Sequence, residues 1–145
     1  MKKLTRNFKR ALMGTAVTAS VLGLSATPAF AGTNAHGYSY FDDCSPLGTG
    51  CTRVQVAEGW FIADGDDWKV CDREADGDRA EISIYWEDSG GNHIHYLAAT
   101  GGAGTCATGG AGVNIPEGKK VTLQVWHQNG ADGSPKDRKT YTGTA

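Results

Sequence analysis

Residues 80–99 read Ala80-Glu81-Ile82-Ser83-Ile84-Tyr85-Trp86-Glu87-Asp88-Ser89-Gly90-Gly91-Asn92-His93-Ile94-His95-Tyr96-Leu97-Ala98-Ala99. Apolar Ala80, Ile82, Ile84 and Trp86 alternate with Glu81, Ser83, Tyr85 and Glu87. A period of two is the signature of a strand with one buried face. Asp88 to Asn92 is rich in turn-forming residues, so His93–Ala99 reads as the return strand of a hairpin. Matching apolar faces sets an expected register. Trp86 opposes Ile94, Ile84 opposes Tyr96 and Ile82 opposes Ala98. A slip by one residue would turn His93 and His95 to the core side.

The same alternation extends outward. Residues 53–63 alternate through Val54, Val56, Trp60 and Ile62, with a bulge expected at Glu58-Gly59. Residues 68–74 form a short strand carrying Cys71. Residues 120–128 alternate through Val121, Leu123 and Val125. Residues 36–41 and 138–144 read as edge strands, and residues 101–112 as a glycine-laden loop pinned by Cys106. No helical period, internal repeat or second domain occurs after residue 31. The expected fold is all-β, an antiparallel β-sandwich of about seven strands, with an immunoglobulin-like topology or a small barrel as alternatives.

Charge separates two segments. Residues 1–31 carry five basic residues and no acid, so residues 32–145 carry 9 basic and 16 acidic side chains, a net −7. That sign argues against nonspecific binding to nucleic acid or anionic membrane. The basic start, the apolar stretch Ala11–Leu24 and Ala29-Phe30-Ala31 read as a secretory signal peptide over residues 1–31. The apolar stretch is shorter than the roughly 20 residues of a spanning helix. The chain ends without an apolar tail or sorting motif. The expected product, residues 32–145, is a single secreted, extracellular domain without a membrane anchor.

Leu, Ile, Val and Phe make up only 16 residues of that domain, too few for a thick core. Four Trp and five Tyr add buried area, and export permits disulfides. Cys44, Cys51, Cys71 and Cys106 allow three connectivities. Cys44 and Cys51 flank the turn-forming Ser45-Pro46-Leu47-Gly48-Thr49-Gly50, which favours Cys44–Cys51 with Cys71–Cys106. No C-x-x-C pair suggests a cysteine zinc site.

Short motifs carry a resemblance. They are Ala26-Thr27-Pro28-Ala29-Phe30-Ala31, Val70-Cys71-Asp72 with Ala75-Asp76-Gly77, Ala99-Thr100-Gly101-Gly102 with Cys106, and Ile115-Pro116-Glu117-Gly118. In these the chain resembles the small exported proteins of actinobacteria, a resemblance that transfers no activity. By size and export it is also similar to the proteinaceous hydrolase inhibitors of those bacteria, although their amylase-binding Trp-Arg-Tyr triplet is missing.

Catalysis finds little support. The cysteines are assigned to bridges and no G-x-S-x-G elbow occurs. Asp72, Glu74 and Asp76 open like a calcium loop, with Asp64, Asp66 and Asp67 as further oxygen donors. The twelfth position is Ser83 instead of a bidentate Glu, so a plain Asp76-Gly77 turn is preferred. His93 and His95 share a strand face, and a third metal donor would have to come from His127 or His36, which nothing in the sequence places. Trp60 and Trp86 fall on apolar faces and are assigned to the core. Trp126 is out of phase with Val125 and is expected at the surface. Tyr85, His95 and Trp126 are therefore the expected binding face. No cofactor and no metal are called for. The expected function is non-catalytic binding of an extracellular protein or glycan. Inhibition of a secreted protease or amylase through the clamped Cys44–Cys51 loop is the alternative.

Overall fold

A computed structural model describes residues 31–48 and 50–145. The expected export segment lies outside the described residues up to position 30. Eight strands follow in order: β1 (Ala35–Cys44), β2 (Cys51–Ile62), β3 (Asp67–Asp72), β4 (Arg79–Asp88), β5 (Gly91–Ala99), β6 (Cys106–Gly109), β7 (Lys120–Gln128) and β8 (Lys136–Thr144). They form two four-stranded sheets, ordered β1-β2-β3-β6 and β5-β4-β7-β8, with every neighbouring pair antiparallel. The sheets do not close, so the fold is a β-sandwich and not a barrel. Three consecutive strands share the first sheet, unlike the ABED/CFG division of immunoglobulin domains. The eighth strand, β6, comes from the segment expected to be loop. Among the described residues no helix is long and apolar enough to cross a membrane.

The inward positions build one core between the sheets. Ala57 and Phe61 come from β2, Trp68 and Val70 from β3, Ala80, Ile82, Ile84 and Trp86 from β4, and Val121, Leu123 and Val125 from β7. The sheets approach closely at Gly59, where a Cβ would stand 2.6 Å from Ile82 Cγ2 and 2.9 Å from Val125 Cγ2. At one edge, Tyr141 of β8 crosses to β1. Its hydroxyl accepts from Tyr38 N–H and donates to Tyr38 C=O, both at 3.0 Å. Both disulfides form as paired above, Cys44–Cys51 and Cys71–Cys106. Each joins directly opposed residues of neighbouring strands, so Cys71–Cys106 pins edge strand β6 to β3 instead of spanning the core.

Two expectations on register are corrected. In the β4–β5 hairpin Trp86 pairs with His93, Ile84 with His95, Ile82 with Leu97 and Ala80 with Ala99. The return strand is thus shifted by one, and Ile94 and Tyr96 point out, 51% and 66% exposed. The cause is the tight connection Asp88↔Gly91, held by Asp88 Oδ1 accepting from Gly90 N–H at 2.7 Å and bonding His93 Nε2 at 3.0 Å. The two imidazoles stack on the Trp86 indole at 4.8 and 5.3 Å, so the inner face still receives flat partners. In β2 the bulge falls at Val56, where Ser39 pairs with Ala57 and Tyr40 with Gln55. Beyond it Ala57, Gly59 and Phe61 face in, and Trp60 faces out, half-buried, instead of joining the core.

Candidate functional site

The Val56 bulge sets the phase that builds the outer face of the first sheet. Tyr40, Tyr38 and His36 of β1 and Trp60 of β2 form a continuous row of rings. Successive centroids lie 6.1, 4.7 and 4.9 Å apart, and His36 stacks on Trp60 within 11° of parallel. Cations line the row. The Arg53 guanidinium lies 4.1 Å from the Tyr40 ring centre, with Lys69 Nζ and the Arg73 guanidinium 5.4 and 5.9 Å from that of Trp60. Glu58 anchors its middle, bonding His36 Nε2 at 2.8 Å and accepting from Arg73 Nε at 2.7 Å. Loss of hydration and then the Glu58 charge hold the Tyr38 phenol above its ordinary value, so it stays a neutral hydrogen-bonding group. The face offers flat apolar surfaces flanked by charged donors and acceptors.

No protein-family model, curated protein or solved structure matches the chain.

The expected binding trio does not assemble. Tyr85 and Trp126 share the outer face of the second sheet, but Trp126 is only 2% exposed. Its Nε1–H donates to Gln128 Oε1 at 2.8 Å, the Arg138 guanidinium covers its ring at 4.5 Å, and Tyr96 meets it edge-on. His95, through the register shift, lies on the opposite side of its sheet against Trp86 and Trp68.

The further oxygen donors weighed for the weak calcium candidates Asp72, Glu74 and Asp76 do not join them. Asp64, Asp66 and Asp67 stand at the other end of β3 from Asp72, about 16 Å away for six extended residues. Asp66 Oδ2 instead accepts from Ile115 N–H at 2.7 Å. Asp76 Oδ1 accepts from Asp78 N–H at 2.9 Å and Gly77 has a φ of 80°, which makes the segment a local turn. His93 takes Asp88 as its carboxylate partner, while Glu87 opposes Asn92. Hydrogen bonds from His93 and then from Gly90 N–H hold the Asp88 carboxyl below its ordinary value.

A second polar centre closes one end of the sandwich, where inward positions change from apolar to polar. Ser39 of β1, Asp72 of β3, Asp78 just before β4 and His127 of β7 all lie there. A cleft of about 550 Å³ is lined by Asp72, Glu74, Asp78, Arg79 and Gly130, among others. Asp72 is 2% exposed, and its Oδ2 has no hydrogen-bond partner. Burial, with the charges of Asp76, Glu74 and Asp78 adding to it, raises the Asp72 carboxyl above its ordinary value. A raised carboxylate favours folding below its unfolded pKa, and this contribution is lost as pH rises through the folded value. Asp72→Asn is accordingly expected to raise the melting temperature at pH 7, and the gain should vanish at about pH 3, where both states carry the proton. Melts at the two pH values check this, and a loss of stability at pH 7 would contradict it.

Proposed function

We propose that this is a secreted, non-catalytic extracellular binding protein that holds a glycan on the outer face of its first sheet. The observation that carries the reading is the row of Tyr40, Tyr38, His36 and Trp60 rings on one outward sheet face. A sugar ring presents an apolar C–H face and a rim of hydroxyls. The half-buried rings of Tyr38, Tyr40 and Trp60 cover the first at small entropic cost, since they are already packed. Glu58, Arg73, Lys69 and Arg53 stand where they can meet the second. The two disulfides fit an oxidising compartment.

Co-sedimentation of the protein with insoluble polysaccharides and cell-wall fractions tests the reading. Retention on at least one carbohydrate is expected, with a loss of at least about tenfold in affinity for Trp60→Ala, a contact worth more than about 1.4 kcal/mol. Retention untouched by Trp60→Ala would remove the face from consideration. A protein captured in place of a glycan would change the ligand class.

One observation favours the second reading, inhibition of a secreted hydrolase. Leu47 is 86% exposed at the tip of the β1–β2 hairpin, whose loop is closed by Cys44–Cys51 and by Ser45 N–H donating to Gly50 C=O at 3.0 Å. A clamped loop with an apolar tip loses little entropy on entering a cleft. A panel of secreted proteases and amylases assayed with the protein separates the two readings.

A further inference from the structure

We propose that Asp76, Asp78 and His127 form a binding site for a divalent transition-metal ion of the zinc class, from which Lys136 is displaced. The carboxylate oxygens and the imidazole nitrogen that would bind all lie within 4.8 Å of one another. Bonds of about 2.0–2.2 Å in a tetrahedral shell set donors about 3.4 Å apart. His127 Nε2 and Asp78 Oδ2 stand 3.7 Å apart, near that spacing, and exposed Asp76 turns inward to complete the set.

The placement of His127 carries the inference beyond a cluster of acids. The ring is 3% exposed. Ser39 Oγ lies 2.8 Å from His127 Nδ1 and 3.1 Å from Asp137 C=O. Ser39 thus engages Nδ1, and Nε2 is the ring nitrogen that faces the acids. Nε2 stands 3.7 Å from Asp78 Oδ2, beyond hydrogen-bond reach. A buried ring nitrogen and a carboxylate oxygen therefore face one position that a cation can share. Metal-bound histidines characteristically donate their other ring N–H to a fixed acceptor, and Ser39 Oγ stands at His127 Nδ1 where such an acceptor is needed.

Lys136 Nζ now supplies positive charge, at 2.7 and 3.0 Å from the two oxygens of Asp78. Its side chain is 55% exposed while that of Asp78 is 7% exposed, so the lysine can swing into solvent as an ion enters. Two carboxylates balance a divalent charge. One imidazole donor among them favours zinc, copper or nickel over calcium and magnesium, which prefer all-oxygen shells.

Calorimetric titration of the chelator-treated protein with ZnCl2, then CaCl2, tests the site. One Zn²⁺ per chain is expected, with Ca²⁺ far weaker. Asp76→Asn keeps the Oδ1 acceptor of the local turn and should fold, yet weaken Zn²⁺ binding at least about tenfold. Lys136→Met should tighten it, a gain that a misfolded variant would not show. His93→Ala, which removes a surface imidazole–carboxylate pair outside the site, should leave it unchanged. No saturable Zn²⁺ binding, tighter binding of Ca²⁺, affinity insensitive to Asp76→Asn or Lys136→Met, or loss in His93→Ala would each overturn the assignment.

Discussion

Phe61→Ala is expected to destabilise the fold by about 3–5 kcal/mol, whereas Trp60→Ala, one residue earlier, should cost a fraction of that. Phe61 is fully buried and sits between the sheets opposite Trp68. Its removal leaves a cavity that the β-sandwich cannot collapse to fill, because Gly59 already brings the two sheets into contact beside it. Trp60 loses only its stacking on His36 and its contacts with Lys69 and Arg73. Urea denaturation of the two variants reads the phase of β2 directly. Equal losses, or a greater loss for Trp60→Ala, would place the bulge elsewhere and turn the proposed glycan face inward.

The Cys71→Ala/Cys106→Ala variant should lose about 4 kcal/mol, against about 2–3 kcal/mol for Cys44→Ala/Cys51→Ala, on the chain-entropy account of disulfide stabilisation. The sequence separations are 35 and 7 residues, so the first bridge removes more freedom from the unfolded chain. The native state adds to the difference. Cys71 is fully buried and Cys106 holds a four-residue edge strand, while Cys44 and Cys51 sit at an exposed hairpin end. Thermal melts of the two double variants should differ clearly in midpoint, and coincident midpoints would contradict the ranking.

Strand β4 was legible because its alternation is unbroken and it is flanked on both sides, by β5 and β7. Ala80, Ile82, Ile84 and Trp86 are buried as their period requires. The return strand was not legible, because apolar matching and turn geometry disagree there. Ile94 and Tyr96 suit a core, but the Asp88–Gly91 connection sets the register and Trp86 accepts the two imidazoles. Trp126 shows a different limit. Its outward phase was readable, but pointing out of a sheet is not the same as meeting water when Arg138 and Gln128 fold over the ring.

The amino-acid sequence by itself determined the all-β class, the two disulfide pairings and the inward face of the central strand. Each rests on short-range information, a two-residue period or two cysteines flanking a turn. Only the tertiary structure decided the two candidate sites. The aromatic row depends on one extra residue at Val56, which reverses the faces of everything after it in β2. The Asp76, Asp78 and His127 donors meet because β4 and β7 pair with Ala80 opposite His127. Such pairing joins segments nearly fifty residues apart, and it is chosen by the packing of the whole sandwich rather than by either segment's own pattern.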